Sequence, residues 1–234
     1  NLLEQELEKR GIKAIVSFRA KRPDRLEQKL NQRNEKSAYA DVANIYEDIV
    51  DLAGVRVALY FPKDREVVDE TINFLFNVRK KKNFPEASYK PKFEKRFSGY
   101  WASHYRVNLK NSNQNKKRYE SALFEIQVAS VLMHAWSEVE HDLVYKPLAG
   151  DLSEEELAIL DEINGLVLTG EIALERLQKA ITKRTKEKDN ISNRYELTSF
   201  ITNSLNKNYI NKLKLGDTKI LFNYLKDNSS ISVS

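Results

Sequence analysis

The sequence contains no cysteine, which excludes disulfides, thiol nucleophiles and thiolate-held zinc or iron–sulfur centres. Histidine is nearly as scarce, with only His104, His134 and His141. The His141–Asp142 pair therefore does not signal a phosphohydrolase, whose metal centre needs several separated histidines. No uninterrupted apolar segment approaches the ~18 residues of a membrane span, and no signal-peptide pattern is present, so a soluble, non-membrane protein is expected. An initiator methionine is also missing, since the chain opens at Asn1, and the natural protein is expected to be longer.

What is present is charge in clusters. The formal net charge of +5 over 234 residues is modest, but basic residues gather at Arg19, Lys21, Arg22 and Arg25, at Arg79 to Lys82, and at Lys90, Lys92, Lys95 and Arg96. Such clusters suit polyphosphate or nucleic acid; a solvated lysine-rich surface is the plainer reading of the second.

Around residues 121–129 an apolar run alternates. Leu123, Glu125, Gln127 and Ala129 fall on one face and Phe124, Ile126 and Val128 on the other, the period of a strand. Burying a lone carboxylate is prohibitive, so Glu125 is paired, metal-bound or at a wet edge. A second strand is predicted over 55–61, preceded by Asp51 and Gly54, and others near 14–18 and 101–109. Pro23 opens a helix in the charged stretch after Arg19, and Asp64 is the expected N-cap of a helix whose apolar face holds Val68, Ile72, Leu75 and Phe76. Lys80 to Pro91 reads as an irregular basic connection and Asn111 to Arg118 as a hairpin-like one. Near Val131 a helix begins that aligns His134, Glu138 and His141 on one face, too bare a pattern to specify zinc.

From Ser153 a long helix follows, with Ser153 and Glu156 in capping-box spacing. Leu160, Ile163, Val167, Leu174, Leu177 and Ile181 mark its packing face, with Gly170 filling the remaining core position; whether that face meets the catalytic part or a second subunit stays open. Thr182 to Arg194 reads as a charged hinge before two or three short helices over 195–227.

Asp51, Gly54 and Arg56, then Ser98-Gly99-Tyr100 with His104, then Glu125-Ile-Gln127, resemble in order the synthetase domain of the RelA/SpoT alarmone synthetases over roughly residues 15–146. The resemblance implies a nucleotidyltransferase-like α/β fold, a mixed sheet flanked by helices over residues 1–150 with an all-helical extension over 151–234. It implies a cytoplasmic pyrophosphokinase that moves the β,γ-pyrophosphate of ATP to the ribose 3′-hydroxyl of GDP or GTP. Asp51 and Glu125 would be the catalytic acids and hold Mg2+, and Arg19, Lys21, Lys29 and Arg56 would bind ATP. Arg96, Ser98, Tyr100, His104, Gln127 and His134 would bind the acceptor, Tyr100 by stacking on its base. Ser98 stands where the family commonly has asparagine, and Ala129-Ser130 where it has arginine and threonine. Two alternatives stay open: pyrophosphorylation of the tRNA 3′ end, and an inert nucleotide-binding or interaction module. A homo-oligomer through the C-terminal helices would fit the long packing helix.

Overall fold

A computed structural model describes residues 2–35, 38–85, 97, 99–110, 119–145, 152–186, 191–204 and 216–228. The chain forms a mixed five-stranded sheet with helices on both faces and a helical C-terminal region, the α/β class expected. Helix α1 (Leu2–Lys9) leads to β1 (Ala14–Ala20), α2 (Pro23–Asn34), α3 (Val42–Asp48) and β2 (Ala53–Leu59). Then come α4 (Arg65–Leu75), β3 (Phe76–Phe84), β4 (Ala102–Leu109), β5 (Phe124–Ser130) and α5 (Val131–Glu140). Helices α6 (Glu154–Lys186), α7 (Arg194–Ser204) and α8 (Thr218–Asp227) complete the described chain.

Strand order is β1-β2-β5-β4-β3, with only the central β2–β5 pair parallel. Alternation assigns the two faces. Val57, Leu59, Tyr105, Val107, Ile126 and Val128 bury themselves against Leu3 and Leu7 of α1 and Val68 and Ile72 of α4 to make the main core. The intervening residues, among them Arg56, His104, Glu125 and Gln127, therefore face the other side. One end of that face is closed by a small cluster of Ala102, Ala129 and Met133 under Val167 and Leu168 of α6. The other end stays open and carries the polar residues.

Local signals shape the chain at several points. Gly11 adopts a φ of 72° after α1, a conformation that disfavours side chains. Pro23 occupies the first turn of α2. Ser153 and Glu156 close a reciprocal capping box, the serine hydroxyl accepting from the Glu156 amide at 3.2 Å and the glutamate accepting from the Ser153 amide at 2.7 Å.

Five expectations need correction. Phe76 begins a strand, β3, rather than ending a helix, and Lys80 to Phe84 are paired to β4 rather than irregular. A charged edge strand lacks the hydrophobic alternation that signals a strand, because only one of its sides is paired and its charges deter further pairing. Asp64 does not cap α4 with its side chain; its carboxylate instead accepts from Gln178 Nε2 of α6 at 2.6 Å. Helix α6 runs into the expected hinge as far as Lys186, and residues 187–190 lie outside the described residues. Its inward face is also rotated from the apolar stripe, for Ile163 and Leu177 are exposed while Asp161 and Asn164 are buried. Polar anchors to the sheet, Glu171 on Ser130 and Gln178 on Asp64, accompany that rotation. The 111–118 connection lies outside the described residues.

Candidate active site

A pocket opens on the polar sheet face, lined by Ser17, Phe18 and Arg19 of β1, Asp51, Gly54, Val55 and Arg56, and Glu125 and Gln127 of β5. Parallel pairing sets Gly54 opposite Glu125 and Arg56 opposite Gln127, so the two sequence-distant motifs meet across one ladder. Gly54 lies within β2 rather than before it. A Cβ there would meet only the Arg19 stem at an ordinary 4.0 Å, so its bareness leaves the pocket floor open rather than relieving a packed contact.

Asp51 sits in the short 3-10 turn before β2. Lys21 Nζ lies 2.7 Å from one of its carboxylate oxygens and Lys29 Nζ 2.8 Å from the other. Burial pushes the Asp51 carboxyl up, but the hydrogen bonds and charges of the two lysines outweigh it and hold the group below its usual range. Thus β1 and α2 deliver two cations to one acid at the pocket wall. Arg22 and Arg25, from the same cluster, are occupied with Asp24 on the surface instead.

Glu125 is held from two sides. His104 Nδ1 lies 3.4 Å from Oε1, and Gln127 Nε2 donates to Oε2 at 2.8 Å. Burial raises its pKa, the His104 contact and the Gln127 hydrogen bond lower it, and the nearby Asp51 charge raises it, with a net downward shift. The carboxylate is therefore ionised at neutral pH. His104 continues the chain outward, its Nε2 lying 3.3 Å from Tyr100 Oη. Phe84 of β3 lies 4.6 Å from the His104 ring and 6.0 Å from that of Tyr100. Burial pushes the Tyr100 hydroxyl up to about 12, so it stays protonated.

Arg56 is ion-paired with Glu138 of α5, and among the described residues its buried Nε has no hydrogen-bond partner. His134 is buried, 9% exposed, and its Nε2 donates to the Val57 carbonyl at 3.2 Å; burial lowers its pKa. It thus braces β2 beneath the site and is not among the residues lining the pocket. The His134, Glu138 and His141 face divides three ways, with His141 beside Asp142 at the surface, and among the described residues no group of three or more potential ligands forms a metal cage. Arg96 and Ser98 lie outside the described residues.

Sequence reading missed three basic residues here. Register pairs Arg106 with Glu125 and Lys80 with Arg106, and Lys82 with His104, so all three belong to the polar face. Period-two spacing inside the Arg79 to Lys82 run was the available signal. Glu138 was read as part of a helix face, and its pairing with Arg56 shows only in three dimensions.

A family model described as a region found in RelA / SpoT proteins matches residues 18–149. The chain belongs to the RelA/SpoT family. No curated protein matches it. Solved structures similar to this RelA/SpoT-family protein include a GTP pyrophosphokinase family protein from Streptococcus pneumoniae, at 21% identity and a TM-score of 0.59, covering 78% of this chain and 85% of that one. The small alarmone synthetase 1 from Bacillus subtilis bound to its product pppGpp is 23% identical with a TM-score of 0.55, covering 73% and 80%. The small alarmone synthetase 2 from the same organism is 24% identical with a TM-score of 0.56, covering 76% and 88%. At these identities the likeness establishes that the RelA/SpoT-family protein shares their fold. No helix among the described residues is long and apolar enough to cross a membrane.

Proposed function

We propose that this protein is a pyrophosphokinase that transfers the β,γ-pyrophosphate of ATP to the ribose 3′-hydroxyl of GDP or GTP. One observation carries the reading: two ionised acids share a pocket, Asp51 with two lysines on one side and Glu125 with a His104–Tyr100 chain on the other. That asymmetry suits two different nucleotides. Family membership supports the reading, as does the pppGpp named as the product of the Bacillus subtilis relative.

On the donor side Arg19, Lys21 and Lys29 would take the phosphates, and Arg56 with Arg19 would flank the adenine, for which a planar guanidinium is suited. When phosphates arrive, they compete with Asp51 for the two lysines and free its carboxylate. Asp51 and Glu125 fit a magnesium ion held by one or two carboxylates plus substrate phosphates, the usual arrangement for that cation. Bound there, Mg2+ would supply charge neutralisation at the transferred group. On the acceptor side Tyr100 would stack on the base, His104 and Gln127 would orient the ribose, and Arg106 and Lys82 would face the 5′-phosphates.

The 3′-oxygen attacks the β-phosphorus of ATP as the bond from that phosphorus to the α,β-bridging oxygen breaks and AMP leaves. Glu125, held ionised, accepts the hydroxyl proton. Residues 1–150 would form the synthetase unit and 151–234 a helical extension, in a cytoplasmic protein. The test is incubation of the pure protein with radiolabelled ATP and GDP, GTP, ADP or tRNA in parallel. Label appearing in a guanosine product supports the reading; label in tRNA alone moves the acceptor to its 3′ end; no transfer to any acceptor refutes the enzyme.

A further inference from the structure

The acceptor reading places Tyr100 at the centre of base recognition, and the structure shows what holds it. Gly99, directly before it, turns the backbone at a φ of 75°. On one side of that turn the Phe97 ring lies over Gly165 of α6. A Cβ built on Gly165 would fall 2.6 Å from two ring carbons, Cε2 and Cζ, and 3.1 Å from Cε1. On the other side Tyr100 packs into the cluster of Ala102, Ala129 and Met133 together with Val167 and Leu168, which also belong to α6. The flank before the turn therefore lies directly on α6, and the flank after it packs on a cluster that the neighbouring turn of α6 also covers. That helix is anchored to the end of β5 by Glu171 on Ser130 and to the turn after β2 by Gln178 on Asp64.

We propose that α6 is the seat of the acceptor platform and that Gly165 is a positioning residue for Tyr100, acting through the Phe97 ring that its missing side chain admits. The proposal rests on the acceptor role given to Tyr100 above. Its consequence is that acceptor affinity is set in part by the helical extension, outside the region that the family model matches.

The substitution Gly165→Ala separates this from general damage, because alanine is the better helix former. The helix gains while the added methyl group displaces the ring. In the full-length protein, acceptor KM is expected to rise at least about fivefold, the low end of losing a base-stacking contact. KM for ATP should stay within about twofold, and Tm should hold or rise. Hydrogen exchange should speed up in the peptide spanning Phe97 to Tyr105 and not in β2. The double variant Gly165→Ala with Phe97→Leu should recover acceptor affinity, since leucine lacks the three ring atoms that collide.

Unchanged exchange and unchanged acceptor KM in Gly165→Ala would overturn the seat. An equal rise in both KM values would overturn it too, as it would mark global disturbance. Faster exchange around Phe97 with unaltered acceptor KM would show a seat that positions nothing, and so refute the proposal. If the parent protein binds no acceptor nucleotide, the functional reading fails, whereas the exchange data still decide whether α6 holds the turn.

Discussion

Asp64 offers a quantitative check that does not depend on the reaction. It follows β2 in a 3-10 turn and faces α6, where Gln178 Nε2 donates to it at 2.6 Å. Burial pushes its pKa from 3.8 to about 6, and the single hydrogen bond from Gln178 offsets only part of that. A carboxyl whose pKa is raised by folding binds protons more tightly in the native state, so it stabilises at low pH and that contribution is lost as pH rises through about 6. The displacement from 3.8 to about 6 corresponds to a penalty of about 3 kcal/mol on the folded state, fully expressed above about pH 7 and absent below about pH 3. Asp64→Asn removes the charge and keeps the acceptor for Gln178 Nε2. At pH 7.5 the variant should therefore be more stable by about 2–3 kcal/mol, or roughly 4–12 °C in Tm for a chain of this size. Urea denaturation from pH 4.5 to 7.5 measures this directly. The advantage should grow through pH 5–6 and then level off. A destabilised variant at pH 7.5, or a difference that ignores pH, would refute the argument.

Asp51→Asn should lower pyrophosphate transfer by at least about 100-fold, with circular dichroism unchanged, since it removes charge at nearly constant volume; turnover within about tenfold of the parent would contradict the assignment. Lys21→Ala should weaken ATP and spare the acceptor, as separate nucleotide titrations can show, and an effect confined to the acceptor would reverse the two halves of the site. Tyr100→Phe should keep most activity, while Tyr100→Ala should forfeit about 1–3 kcal/mol of acceptor binding. A loss of melting temperature in parallel with binding in Tyr100→Ala would make the ring a core residue instead.

Much of this site was legible because the chemistry sits on strands that also have to form the core. In β5 the residues Phe124, Ile126 and Val128 announce the strand, and the same alternation delivers Glu125 and Gln127 to the opposite face. Asp51, Lys21 and Lys29 could be named from the chain, but their three-way contact could not, because it joins the ends of β1 and α2 to a turn 22 residues beyond Lys29. Strand β3 was illegible because a basic edge strand has no apolar alternation, so Lys80 and Lys82 reached the polar sheet face unannounced. The burial of His134 was not legible, because a buried histidine and a ligand-binding histidine look alike in sequence, and its bond to the Val57 carbonyl at 3.2 Å shows only in three dimensions. The inward face of α6 was misread because several stripes at 3,4 spacing run along one 33-residue helix, and polar contacts, not hydrophobicity, choose among them.

In the proposed reaction the pocket between Asp51 and Glu125 moves pyrophosphate from ATP to a guanosine 3′-hydroxyl. Its most direct measurement compares the parent protein with Glu125→Gln, folded alike by circular dichroism, in a magnesium-containing assay with γ-labelled ATP and GDP, reading labelled 3′-pyrophosphorylated product and AMP together. One AMP should appear for each labelled product in the parent, with a loss of at least about 100-fold in both for Glu125→Gln. Equal rates in the two proteins, or release of label as free phosphate or pyrophosphate with no guanosine product, would contradict it.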